Sequence, residues 1–213
     1  MSIQVMLVDD HKMLREGIKS LLEFDSDLEI LSEASSAEEC LDIVMEKKPD
    51  VILMDINLPG ISGIQALKEV KRRSKKIKVL MLTVHNEVEY LIESLDAKAD
   101  GYILKDSSSD ELIKAIKTVY NEERYIQPDL IPALNARLIQ NESDNEMIKD
   151  ITKREMQMLG FIALGKTNAE IGVELNISDR TVKNHISNLF KKINVTDRTQ
   201  AAVFAIRNNL IQM

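Results

Sequence analysis

Five times within the first 120 residues a short apolar run ends at a polar residue, and apolar positions then recur at helical spacing. Ile3 to Val8 ends in Asp9-Asp10, and Met13, Leu14, Ile18, Leu21 and Leu22 follow. Ile30 to Ala34 leads to a helix opened by Ser36, with Glu39 three residues on. Val51 to Met54 ends at Asp55 and the turn residues Asn57, Pro59 and Gly60, before Ile64 to Val70. Val79 to Leu82 ends at Thr83, before Val88 to Leu95; Tyr102 to Leu104 ends at Lys105, before a helix capped by Ser108 with Glu111 as return partner. Strands that alternate with helices build a parallel sheet, because parallel neighbours need a crossover, and five such units in about 120 residues are read as doubly wound, with helices on both faces. Residues 1–120 are therefore expected to form a doubly wound, five-stranded parallel α/β sheet.

In such a sheet all strands end at one edge, where open α/β folds bind ligands. That edge gathers Asp9, Asp10, Asp55, Thr83 and Lys105. Asp55 alone is an ordinary strand-ending residue; the company it keeps changes the reading. Two carboxylates at ~4 Å repel by roughly 4 kcal/mol at an effective dielectric of 20, so three of them call for a cation, and hard oxygen ligands select Mg²⁺ or a similar ion. Asp55 is then a candidate nucleophile toward a phosphoryl group, with the metal and the Lys105 ammonium answering the phosphoryl charge and Thr83 offering a hydroxyl. No Gly-rich phosphate loop is present, so a nucleotide is not the obvious donor.

Asp9-Asp10, Asp55 with Leu58-Pro59-Gly60, Thr83, and Tyr102 three residues before Lys105 together resemble the receiver domain of two-component response regulators. The resemblance covers about residues 1–120 and implies a flavodoxin-like fold. It implies that Asp55 takes its phosphoryl group from a sensor histidine kinase, that Asp10 and Asp55 with the Asn57 carbonyl bind Mg²⁺ directly, and that Asp9 assists through water. Thr83 and Tyr102 match the pair that moves together on phosphorylation. Asn57 and His85 match positions that tune phosphoryl lifetime.

Charge divides the chain. The net charge of −7 combines −7 over residues 1–120, −3 over 121–149 and +3 over 150–213. An acidic front and a basic tail point to two domains, the second suited to a polyanion. The linker, 121–149, includes a candidate helix over 128–140 and a stretch over 141–150 with four acids, expected to be mobile. No run approaches the ~18 apolar residues of a membrane span, no signal peptide is visible, and a single cysteine suits the cytosol. Cys40 reads as a small helix-face residue.

Residues 150–213 read as four short helices. Thr152 with Glu155 and Thr167 with Glu170 form two capping boxes, Gly165 closes the first helix, Ser178 opens the third, and Asp197 or Thr196 opens the fourth. A short helix, a tight turn and a longer helix make a helix-turn-helix candidate. In the third helix Val182, Ile186, Leu189, Phe190 and Ile193 share one stripe, which turns Arg180, Asn184, Ser187 and Lys191 outward with Lys183 on the flank. Those residue types suit phosphates and major-groove base edges. The only histidines, His11, His85 and His185, have no zinc-ligand spacing, and His185 is expected to pack at the stripe's edge.

Ile151-Thr152-Lys153-Arg154-Glu155, Asn168-Ala169-Glu170-Ile171, Ser178 to His185 and Asp197 to Ala201 resemble the LuxR-type DNA-binding domain. With the front domain this is similar to NarL-class regulators, and within them to the cell-envelope-stress branch of Gram-positive bacteria. The resemblance implies base reading by Lys183, Asn184 and Ser187 and phosphate contacts through Thr181; where some members place a second Lys, this chain has Ser187. The expectation is a cytoplasmic regulator that binds double-stranded DNA and forms a homodimer on phosphorylation, with Ala202, Val203 and Ile206 as a possible seam. Two rivals are an Asp-nucleophile phosphatase, which usually carries a second acid where Asn57 stands, and a phosphorylation-independent regulator, against which the full acidic set argues.

Overall fold

The computed structural model describes residues 2–210, which form two compact units that divide after Asn135. In the front unit β1 (Ile3–Val8), β2 (Leu28–Ala34), β3 (Val51–Asp55), β4 (Lys78–Thr83), β5 (Gly101–Leu104) and β6 (Tyr125–Ile126) form one sheet in the order β2-β1-β3-β4-β5-β6, all pairs parallel. The five expected strands form the core of the sheet, and Tyr125–Ile126 adds a short sixth at its edge. Tyr125-Ile126 is too short to show a period, and it becomes a strand only because β5 offers it a free edge.

Between the strands run α1 (Lys12–Leu22), α2 (Ala37–Lys47), α3 (Gly63–Arg73), α4 (Val88–Asp96) and α5 (Ser109–Tyr120). Alternating strand residues feed opposite faces. Met6, Val8, Ile52, Met54, Val79 and Met81 pack on the side of α2, α3 and α4. Val5, Leu7, Val51, Leu53, Leu80 and Leu82 pack on the side of α1 and α5. Cys40 lies wholly inside, its Sγ 3.8 Å from Met6 Sδ, and burial pushes its thiol up to about 12, so it is packing and not a reactive group.

After β6, Pro128–Leu130 forms a 3₁₀ turn and α6 (Ile131–Lys149) follows. The helix expected over 128–140 is thus longer, and the stretch expected to be mobile is helical as far as Lys149. Its acids and apolar residues find distant partners: Asp144 Oδ2 accepts from Arg207 at 2.6 Å and Asn208 at 3.0 Å, while Met147 and Ile148 pack on the back unit's core.

The back unit adds α7 (Lys153–Ala163), α8 (Asn168–Leu175), α9 (Asp179–Lys192) and α10 (Arg198–Arg207). Both expected capping boxes form, and Ser178 and Asp197 cap α9 and α10. Gly165 follows α7 at φ +78, a region open to glycine. Gly172 permits the α8–α9 turn: a Cβ there would come 2.8 Å from the Ile177 carbonyl oxygen. Among the described residues no helix is long and apolar enough to cross a membrane.

Candidate phosphoacceptor site and nucleic-acid interface

The register carries the strand ends to one edge. Val8 pairs with Met54, Asp55 with Leu82, and Thr83 with Leu104, so Asp9, Asp55, Thr83 and Lys105 finish level with one another. The Lys105 amide donates to the Thr83 carbonyl at 2.7 Å, which holds the lysine in line with the strand it follows. Asp9, Asp55 and Thr83 are buried, whereas Asp10 is exposed. Lys105 Nζ lies 2.7 Å from Asp55 Oδ2 and 2.6 Å from Asp9 Oδ2. Burial opposes its charge, but the hydrogen bonds it donates to these two carboxylates outweigh it and hold the ammonium above its ordinary pKa.

One cation cannot balance the cluster. Ligand atoms of Asp9, Asp10, His11 and Asp55 all lie within 4.8 Å of one another. Three carboxylates beside one ammonium leave excess negative charge, and hard oxygens suit a divalent ion of the Mg²⁺ kind, so the residues fit that ion. His11 is the member that sequence reasoning set aside. Its Nδ1 lies 2.9 Å from Asp10 Oδ1 and 3.2 Å from Asp9 Oδ1, and its amide donates to Asp9 Oδ1 at 2.8 Å. Gly63 was also missed: a Cβ there would collide with the Asp55 carbonyl oxygen and lie 2.8 Å from its carbon. Its only sequence signal was its place behind the cap Ser62.

His85 is the hub of the flanking loop. Its amide donates to Thr83 Oγ1 at 3.1 Å, its carbonyl accepts from the Tyr102 hydroxyl at 3.0 Å, and its Nε2 lies 2.7 Å from Asn57 Nδ2. An amide NH₂ donating to Nε2 puts the ring proton on Nδ1, which faces Glu87 Oε2 at 3.1 Å. Tyr102 is fully buried, and that burial pushes its phenol far above the ordinary value. The two positions named as a pair in the sequence, Thr83 and Tyr102, are therefore joined through the backbone of one residue.

In the back unit Val182, Ile186, Leu189 and Ile193 are buried. Arg180, Lys183, Asn184, Ser187 and Lys191 are exposed on α9, and Thr181 is half-buried with its hydroxyl 2.8 Å from Ser178 Oγ. Lys183 Nζ lies 2.8 Å from Asp179 Oδ2 one turn earlier on the same helix. His185 is half-buried, as a packing residue would be. On α10 Ala201, Phe204 and Ala205 face the core, which leaves Val203 and Ile206 exposed and Ala202 half-buried.

Glu155 fastens this helix. It is buried on α7, accepts from the Thr152 amide and hydroxyl at 2.9 and 2.8 Å, and lies 2.7 Å from Lys192 Nζ at the end of α9. Burial pushes its carboxyl up, but the Lys192 and Thr152 donors more than offset this and hold it below the ordinary 4.5. A carboxyl lowered by folding contributes stability that is complete above its unfolded pKa and fades as pH falls through the folded one. Glu155→Ala is expected to lower the unfolding free energy by about 2 to 3 kcal/mol at pH 7, and by less at pH 3. Urea titrations of the helical signal at the two pH values check this, and an equal loss at both would disprove the ionic role.

Residues 5–117 match the family described as "Response regulator receiver domain", and residues 149–205 match "Bacterial regulatory proteins, luxR family". The chain belongs to the two-component response regulators that join a receiver to a LuxR-type helix-turn-helix, DNA-binding transcription regulators and not conventional enzymes. It is similar to the transcriptional regulatory protein LiaR of Bacillus subtilis, 39% identical over 209 residues, covering 98% of this chain and 99% of that one. The response regulator protein VraR of Staphylococcus aureus is 39% identical over 212 residues and 100% of both chains. Among solved structures, a LuxR-family response regulator from Aurantimonas sp. SI85-9A1 superposes with a TM-score of 0.63 at 30% identity, covering 65% of this chain and 99% of that one.

Proposed function

We propose that Asp55 accepts a phosphoryl group from a sensor histidine kinase in the cytoplasm, and that this promotes homodimerisation and sequence-specific binding to double-stranded DNA. The observation that carries the reading is the Lys105 ammonium seated between two buried carboxylates, Asp9 and Asp55, at the strand edge. In the transfer an Asp55 carboxylate oxygen bonds to phosphorus as the bond from phosphorus to the kinase histidine breaks, and the electron pair of that bond stays on the imidazole. Lys105 stays protonated and answers charge on the phosphoryl oxygens, while Thr83 offers its hydroxyl to one of them. Mg²⁺, held by Asp10, Asp55 and the Asn57 carbonyl with Asp9 acting through water, would supply the remaining positive charge.

Thr83 and Tyr102 form the switch in this reading, because drawing the Thr83 hydroxyl toward a phosphoryl group disturbs the His85 amide bonded to it. Dimerisation then raises the effective concentration of the second helix-turn-helix at a paired half-site, and the exposed Val203 and Ile206 with Ala202 offer a seam. Beryllofluoride with Mg²⁺ should convert the protein from monomer to dimer in sedimentation and tighten operator binding at least tenfold. An unchanged monomer in both conditions, with and without DNA, would refute the switch.

A further inference from the structure

The acidic front unit concentrates positive charge in one place that the phosphoacceptor site does not use. Six cations fall within eight residues, Lys71-Arg72-Arg73-Ser74-Lys75-Lys76-Ile77-Lys78, where α3 ends and β4 begins. This is the amino end of the sheet, opposite the edge that holds Asp55. A cleft of about 740 Å³ opens here, lined by Lys68, Lys71, Arg72 and Lys75 from α3 and the turn after it, by Asp96 to Asp100 from the end of α4 onward, and by Arg124 ahead of β6.

Part of this charge has an ordinary explanation. Basic residues complement the carbonyl end of a helix, and Arg72 and Arg73 both bond to Glu69 at 2.7 Å. Lys68 lies 3.4 Å from Glu93, and Lys71 is ion-paired with Asp100, which also accepts from the Val79 amide at 2.7 Å. The remaining cations are not explained in this way. Lys75, Lys98 and Arg124 are exposed, come from three separate segments, and form no ion pair with a carboxylate among the described residues. Lys98 stands at φ +72, directly after the α4 cap, where glycine or asparagine is the usual occupant. With Asp100 already neutralised, Asp96 is the one acid left in the lining to answer them.

We propose that this cleft binds a linear polyphosphate chain, the chemistry shared by nucleoside triphosphates and inorganic tripolyphosphate. Several anionic oxygens in a row can meet lysine point charges and the arginine fork together. The lining holds no aromatic ring and only Ala97 and Ala99 as apolar groups, so a base would meet no more than a guanidinium plane. The phosphate chain is what the cleft reads.

The test is calorimetric titration of the full chain with tripolyphosphate in low salt, with EDTA present so that the acidic cluster carries no metal. Lys75→Ala, Lys98→Asn and Arg124→Ala combined should weaken binding at least tenfold, while Lys114→Ala, an exposed lysine on α5 outside the cleft, should leave it unchanged. ATP should bind within a few-fold of tripolyphosphate. All three substitutions fall on exposed side chains, and a thermal melt matching wild type establishes that the variant is folded. Equal binding by the triple variant overturns the proposal, as does loss with Lys114→Ala or a requirement for the nucleotide base.

Discussion

Asp55→Asn is expected to take up no phosphoryl group at all. With Mg²⁺ and a small donor such as acetyl phosphate, the wild-type chain should gain one hydroxylamine-labile phosphoryl group by intact mass, and should gain none under chelator. The amide keeps the shape of the side chain but lacks the carboxylate charge that attacks phosphorus and that Lys105 pairs with. The substitution also relieves the crowding of carboxylates around Lys105, so the variant should fold at least as well as the wild type. Equal phosphorylation of the variant, or full reaction without a divalent ion, would remove Asp55 and the metal from the mechanism.

Lys183→Ala or Asn184→Ala should each cost about 1 to 3 kcal/mol on the preferred operator and relax the preference at the base pair which that side chain reads. The buried stripe of Val182, Ile186, Leu189 and Ile193 leaves only the opposite face of α9 for the major groove. Lys191→Ala, if that ammonium meets phosphate, should weaken all duplexes alike and reduce the slope of log K against log salt by about 1. These side chains are exposed, so thermal stability should move little. The comparison is specific against random duplex at two salt concentrations. If Lys183→Ala and Asn184→Ala bind both as the wild type does, α9 is not the reader.

Most of this architecture was legible because its signals are local. A strand-ending Asp, a Ser or Thr cap with Glu three residues on, and an apolar stripe at helical spacing all lie within one element, so Asp55, Lys105 and the face of α9 could be picked out from the chain alone. What escaped depends on residues far apart. Tyr125-Ile126 is a strand because of β5, and Asp144 is ordered by Arg207, sixty-three positions away. His11 joined the acidic cluster only once β3 had brought Asp55 alongside, and Gly63 matters for a backbone approach that no periodicity reports. The basic cleft was half visible as a charge run, but Lys98 and Arg124 reach it through the topology of the sheet.

The chain has no tryptophan and four tyrosines, and of these Tyr102 has no exposed surface while its hydroxyl is tied to the His85 carbonyl. The four phenylalanines absorb at shorter wavelength, so the long-wavelength near-ultraviolet band rests on four phenols, one of which is bonded to the loop beside Asp55. Any departure of that ring from its bond changes the surroundings of one chromophore in four, with no indole band to hide it. Under the proposed switch that phenol would act as an optical label for the state of the receiver, placed there by packing and requiring no dye.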